Sequence, residues 1–306
     1  MRIFDAHCDT LTYLIDHNTT LAESDGMIRH DMLTKYDGYI QIFAAWIDRR
    51  KENSTLEALT IADKFRSETE KYGITPITDR ESLLRVHENG GIGAIFAIED
   101  GAALGGREEA LNMFHRLGAR AITLTWNGEN ELGKGALGSD GAGLTDFGKA
   151  VVRRMNELGM VIDVSHLSER GFYDVAEISD SPFMASHSNA KAVCDHARNL
   201  TDDQLRVMIK TGSAVGINLY TEFLGDKRAG IKDVIRHIEH ILALGGKDIL
   251  GIGTDFDGIS KAAKGIESAD KLAVLLNELG KLNYPDDLIK KIAYGNYFDL
   301  FMKVLK

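Results

Sequence analysis

Imidazoles and carboxylates recur at the ends of short apolar runs in this chain. RIFDAH (2–7) ends on His7, with Asp9 two residues on. GAIFAIE (93–99) ends on Glu99, MVIDVSH (160–166) on His166, and ILGIGTD (249–255) on Asp255, while FMASHS (183–188) carries His187. A carboxylate placed like Glu99, after four apolar residues, bears a desolvation cost of several kcal/mol unless a cation sits beside it. Neutral imidazoles suit Zn²⁺ as ligands. Three histidines with two or three carboxylates are more than one tetrahedral zinc uses. The surplus predicts two metals about 3.5–4 Å apart, sharing a carboxylate and a hydroxide. Taken singly, each residue is equally a helix cap or a turn residue; their joint placement points to a metal site.

Residues so far apart along a chain meet only if the fold gathers the ends of its strands. Eight runs read as buried strands: 2–7, 39–47, 93–99, 121–126, 160–166, 183–188, 214–220 and 249–255. They are rich in Ile, Val, Phe and Ala and barely alternate, as strands covered on both faces do. Helical patterns lie between them. TDFGKAVVRRMNELG puts Val151, Val152, Met155 and Leu158 on one face, with Gly159 as the stop. Thr201 and Gln204 in TDDQ form a capping-box signature, and IKDVIRHIEHILALGG (231–246) again has helical spacing. Eight strands alternating with helices predict an α/β fold, a (β/α)₈ TIM barrel of the metal-dependent hydrolase type, with an open doubly wound sheet as the alternative. In a barrel the strand C-termini converge on one mouth, where the site residues would meet. Two further helices, 270–281 and 285–304, are expected on the outside of the barrel. No linker or composition break divides the chain, so 1–306 is expected to be one domain.

Composition narrows the partners. Lys and Arg number 36 against 46 Asp and Glu, a net charge of −10, which repels phosphate backbones and excludes nucleic acid as an expected partner. No apolar run reaches the roughly 18 residues that span a bilayer, so no membrane partner is expected. Residues 1–10 lack a signal-peptide stretch, and the expected compartment is the cytoplasm. Cys8 and Cys194 fit a reducing compartment and are expected as small buried residues. His17, His87, His115, His237 and His240 are expected to be exposed or capping; His196 is a weak candidate for the mouth.

The segments HCD (7–9), AIEDG (97–101), GLTDFGKAVVRRMNELGMVIDVSHLS (143–168), SHSNAKAVCDHARNLTDDQL (186–205), GINLY (216–220) and GIGTDFDGI (251–259) resemble the membrane dipeptidase (renal dipeptidase) family, peptidase family M19. The resemblance runs over essentially the whole chain. DVSHLS (163–168) followed by ASHSNA (185–190) and RNLTD (198–202) is its specific part. It implies a (β/α)₈ barrel with two Zn²⁺ per chain, bridged by Glu99 and a water or hydroxide, that cleaves dipeptides. His7 and Asp9 match the family's strand-one ligands, and His166 and His187 its two histidines on the second zinc. Asp255 matches its acid/base aspartate, Arg198 an arginine that holds the substrate's terminal carboxylate, and Tyr220 a tyrosine near the bound dipeptide. At TLTWNGEN (123–130) the chain departs from members that have a histidine after TLT to hold the tetrahedral oxygen. Here it is Trp126, whose indole N–H donates one hydrogen bond but carries no charge. Asn127 or the loop backbone is the substitute donor, and Trp126 is otherwise an apolar wall. Secreted members carry a leader and a lipid anchor; this chain is expected to be a bacterial intracellular relative.

The implied reaction uses a water ionised between the metals. Asp255 takes its proton and passes it to the departing nitrogen, with Asp257 as a competitor or a turn cap. The planar fork of Arg198 fits a carboxylate bidentately, which restricts substrates to short peptides with a free C-terminus. Family members commonly accept a D-residue there. The loop 128–143, with six glycines, is either a lid over the mouth or an irregular surface loop, and Glu129 and Glu131 in it are weak candidates for selecting basic side chains. Two rivals stand. One is an amidohydrolase-type enzyme acting on another amide such as N-acyl amino acids, or on phosphoesters; against it, such barrels usually begin with H-x-H and bridge their metals through a carboxylated lysine. The other is a non-catalytic ligand-binding barrel, supported by Trp126 alone. A homodimer is an expectation by analogy.

Overall fold

The computed structural model describes residues 1–50, 53–138 and 141–306. Among these, nine parallel strands are found: β1 (Arg2–Cys8), β2 (Gly38–Trp46), β3 (Thr75–Pro76), β4 (Gly91–Glu99), β5 (Ala119–Thr123), β6 (Val161–Asp163), β7 (Met184–Ala185), β8 (Ala214–Ile217) and β9 (Leu250–Ile252). Pairing runs β2-β1-β9-β8-β7-β6-β5-β4, and β2 returns to pair with β4. Eight strands therefore close into a barrel with helices between them, the (β/α)₈ architecture that the sequence predicts. The ninth, β3, is a two-residue strand outside the ring on β4; it has no apolar run to announce it.

The runs fail to alternate because each strand is buried on both sides. On β4, Ile95 and Ala97 belong to an inner cluster with Phe4, Ala6, Ile40 and Ile42, while Ala94, Phe96 and Ile98 pack outward against the helices. Trp46 and Glu99 continue the inward parity and so arrive at the mouth. β1 breaks parity. Asp5 pairs with Gln41 and Cys8 with Phe43, so Ala6 and His7 together oppose Ile42. Strict alternation from Phe4 and Ala6 would send His7 outward; this bulge turns it into the mouth.

Local helix signals hold. Thr145 accepts a hydrogen bond from the Gly148 N–H at 2.9 Å, opening helix Asp146–Leu158, and Gly159 closes it at φ 71°. Thr201 Oγ1 accepts from the Gln204 N–H at 3.2 Å, and Gln204 Oε1 from the Thr201 N–H at 2.9 Å, a reciprocal box opening helix Asp202–Thr211.

Two expectations are corrected. The later strands are shorter than their apolar runs: β6 stops three residues before His166, β7 two before His187 and β9 three before Asp255. These residues therefore lie in loops, where the chain has left the ladder. The last helical segment also differs. Helix Leu272–Lys281 packs on the outer cluster, as expected. Asp286–Lys290 also packs on the outer cluster through Leu288 and Ile289, but after a π-turn at Lys291–Gly295 the helix Asn296–Val304 runs beneath the barrel. Tyr297 and Phe301 join the inner cluster, with ring centroids 5.5 and 5.4 Å from Phe4. A Cβ on Gly251 would come within 2.4 Å of the Tyr297 ring, so glycine lets this plug enter. Among the described residues no helix is long and apolar enough to cross a membrane.

Candidate metal centre and substrate site

Five side chains gather at the barrel mouth around Glu99. Its Oε2 lies 3.3 Å from His7 Nε2, and its Oε1 lies 3.1 Å from His166 Nε2 and 3.6 Å from His187 Nε2. Asp9 Oδ2 is 3.7 Å from His7 Nε2, and ligand atoms of His7, Asp9 and Asp255 fall within 4.8 Å of one another. A Cβ on Gly258 would stand 1.9 Å from Asp9 Oδ2 and 2.8 Å from Asp255 Oδ1, so glycine leaves both carboxylates room. His166 (φ 65°) and Asp255 (φ 62°) are in the left-handed region, which costs a non-glycine residue about 1–3 kcal/mol and here accompanies the turn from strand end to mouth.

The donor set fits divalent metal. Asn127 Oδ1 lies 2.8 Å from His166 Nδ1. An amide oxygen only accepts, so Nδ1 carries the proton and Nε2 a lone pair. That lone pair faces His187 Nε2 at 2.9 Å, with Glu99 Oε1 beside both. Two imidazole nitrogens and a carboxylate oxygen thus converge in a buried site, the arrangement of ligands around a cation. His7 Nε2 and Asp9 Oδ1 are likewise buried without a hydrogen-bond partner. Burial, reinforced by Arg198 and His7, holds both His166 and His187 well below the usual imidazole range, in the neutral form that ligates. Burial, opposed by His7, pushes Glu99 up to about 8. Imidazole nitrogens with carboxylate oxygens are the ligand set of zinc hydrolases.

The other predicted residues surround this cluster. Asp255 Oδ2 accepts from Asn218 Nδ2 at 2.8 Å, and burial pushes its pKa up to about 6 against the pull of His7. Asp257 is committed elsewhere: its oxygens accept from Thr10 Oγ1 and the Met27 N–H, both at 2.6 Å, which fastens the loop after β1. Arg198 is buried behind His187. Its Nη2 donates to the His187 carbonyl at 3.2 Å, and its Nε has no partner. Burial lowers its pKa to about 10, which leaves it charged at neutral pH. It borders a small cavity of about 40 Å³ shared with His166 rather than the main one. The main mouth cavity, about 510 Å³, is lined by Asp9, Glu99, His166, Asp255, Asn127, Tyr220 and three further aromatic walls: Trp46, Trp126 and Phe223. Trp126 stands edge-on to Trp46 at 5.5 Å, and Tyr220 edge-on to Phe223 at 4.9 Å.

Described residues of the loop 128–143 are pinned. Asn130 Nδ2 donates to Asp100 Oδ1 at 2.6 Å and to the Leu124 carbonyl at 2.8 Å, and Glu129 pairs with Lys134. Ser139 and Asp140 of that loop lie outside the described residues. Two minor expectations fail. His237 is fully buried, held by the Ala190 N–H and the Leu224 carbonyl, and Cys194, unlike Cys8, is partly exposed.

The membrane dipeptidase family, peptidase family M19, matches residues 1–306. The chain belongs to this family. It is 34% identical over 233 residues, 72% of this chain and 84% of the other, to an uncharacterised protein in the pqqA 5′ region of Klebsiella pneumoniae. Among solved structures it resembles dipeptidase AC, a family M19 metallopeptidase, with a TM-score of 0.92, 27% identity and coverage of 100% of this chain and 99% of that one. It also resembles a metallopeptidase from Rhodobacter sphaeroides bound to a phosphinate mimic of L-Ala-D-Ala, with a TM-score of 0.91, 26% identity and 99% coverage of both chains.

Within this M19 chain some residues of the site escape sequence reasoning. Trp46 lies near the end of the second apolar run, where a tryptophan reads as core. Asn218 lies inside the apolar run 214–220, and a polar amide there is the signal that could have found it: once buried it needs a partner, and that partner is Asp255. Asp163 and Ser186 hide inside apolar runs.

Proposed function

We propose that this M19 enzyme is a zinc-dependent dipeptidase acting on dipeptides, including those with a C-terminal D-residue, with residues 1–306 as one catalytic domain working in the cytoplasm. The observation that carries the proposal is the 2.9 Å approach of two imidazole Nε2 atoms beside Glu99 Oε1. His7 and Asp9 would hold one Zn²⁺, His166 and His187 a second, with Glu99 between them. When bound, such a pair supplies a polarised carbonyl and a water that ionises near neutral pH. Asn127 keeps His166 oriented. Asp255, with Oδ2 held by Asn218, takes the proton of the attacking water at Oδ1 and returns it to the departing amine. The unpartnered Arg198 Nε is a buried cationic donor suited to the substrate's terminal carboxylate. Tyr220, Phe223, Trp46 and Trp126 enclose the substrate and exclude water; Trp126 serves as wall. A mouth of about 510 Å³ is of small-ligand size. The L-Ala-D-Ala mimic held by the Rhodobacter relative supports the D-residue specificity.

The test is zinc reconstitution followed by a panel of L,L and L,D dipeptides, with N-acyl amino acids and phosphoesters as counter-substrates. Two zincs per chain and dipeptide turnover are expected. Turnover of N-acyl amino acids alone would move the enzyme to the amidohydrolase class. Bound zinc with no turnover at all would make it a binder.

A further inference from the structure

We infer that Asp163 and Ser186 form a buried relay that fixes the proton of His187 on Nδ1 and so turns the bare Nε2 toward the metal centre. Both are positioning residues, and the inference rests on the proposal that His187 is a metal ligand.

The derivation starts at Asp163, on the inner face of β6 and 1% exposed. Four donors saturate its carboxylate. Thr123 Oγ1, at 2.7 Å, and Ser186 Oγ donate to Oδ2; the backbone N–H groups of Ser165, at 3.0 Å, and Ser186, at 2.9 Å, donate to Oδ1. With four donors aimed at it, the carboxylate serves here only as an acceptor. Ser186 has one hydroxyl proton, and the short contact to Asp163 Oδ2 takes it in preference to Ser165 Oγ at 3.5 Å. The lone pairs of Ser186 Oγ are what remains for His187 Nδ1, 2.7 Å away. That contact is a hydrogen bond only if Nδ1 carries the proton. A neutral imidazole has a single N–H, so Nε2 is left with its lone pair, facing Glu99 and His166.

The relay has little room to rearrange. A Cβ on Gly253 would come within 1.7 Å of the Ser186 carbonyl, and one on Gly216 within 2.1 Å, so the backbone of β8 and that just past β9 press against this residue. Ser165 Oγ also accepts the His187 backbone N–H at 3.1 Å, which holds the main chain beneath the ring. His166 reaches the same tautomer through Asn127. Two different devices thus present two Nε2 lone pairs to one carboxylate.

The test reads the tautomer directly. In the metal-free, ¹⁵N-histidine-labelled protein, long-range ¹H–¹⁵N NMR is expected to show His187 protonated at Nδ1. A wild-type His187 protonated at Nε2 overturns the relay without any variant. In Ser186→Ala the Nδ1–H preference is expected to be lost, and zinc affinity to fall about 10–100-fold, the usual effect of removing an outer-shell partner. Ser186→Thr, which keeps the hydroxyl, should restore both. An unchanged tautomer and unchanged zinc affinity in Ser186→Ala would overturn the inference. If zinc leaves the His187 resonances of the wild-type protein undisturbed, the ligand proposal fails, and the tautomer measurement reports on the relay separately.

Discussion

Replacing Asp255 with asparagine separates proton transfer from everything else this residue does. The backbone there has φ 62°, a conformation in which Asp and Asn are among the least strained non-glycine residues; alanine would add about 1–2 kcal/mol of backbone strain and confuse the result. Asparagine keeps an oxygen for Asn218 Nδ2 at its present 2.8 Å, and nearly the same volume. Stability is therefore expected to hold within about 1 kcal/mol. What disappears is a proton acceptor. General acid–base catalysis is worth about 10²–10⁴ in rate, which is roughly 3–5 kcal/mol of barrier at about 1.4 kcal/mol per factor of ten. With zinc-loaded protein and saturating dipeptide, kcat should fall by that factor while KM stays near the parent value. Zinc content by elemental analysis should stay near two per chain. A kcat loss below about tenfold would refute the acid/base role, since that is less than such a group supplies. A fall in zinc content would instead make Asp255 a ligand, a role its grouping with His7 and Asp9 within 4.8 Å allows.

Arg198→Ala should raise KM by about 10–100-fold for dipeptides with a free terminal carboxylate, the range of a lost charged hydrogen bond, and leave amidated substrates little changed; equal effects on both classes would remove the carboxylate role. His237 sets an acid limit on stability. Burial, opposed by the Leu224 carbonyl, lowers its pKa to about 4, and its Nδ1 accepts the Ala190 N–H, so protonation in the fold is resisted. The unfolded chain binds that proton near pH 6.5, so stability is full above this value and falls as pH drops toward 4. Urea unfolding of the zinc-loaded protein should show about 2 kcal/mol more loss between pH 7 and pH 5 than in His237→Gln; parallel pH profiles would refute this. Phe301→Ala opens a cavity in the plug beneath the barrel and should cost about 3–5 kcal/mol, read as a lowered Tm, with kcat unchanged well below the transition; a loss under about 1 kcal/mol would mean the last helix does not hold the barrel closed.

The sequence by itself singled out the residues proposed to do chemistry and, in outline, determined how many strands would carry them. Apolar runs ending on His7 and Glu99 were legible because a buried polar residue after a run of Ile, Phe and Ala stands out without any partner in view. The caps at Thr145 and Thr201 were legible for the same reason: their hydrogen bonds reach only three residues ahead. The tertiary structure decided what depends on a neighbour distant in sequence. The bulge that turns His7 inward exists only against Ile42 of β2. His166, His187 and Asp255 sit beyond the ladder because β6, β7 and β9 find few pairing partners, which no apolar run records. The final helix shows an amphipathic pattern, but its place beneath the barrel depends on a gap at Gly251 that admits Tyr297. Asn127 beside His166 and Ser186 beside His187 have the same origin: side-chain identity is local, whereas the partner that gives a proton its direction is supplied by packing.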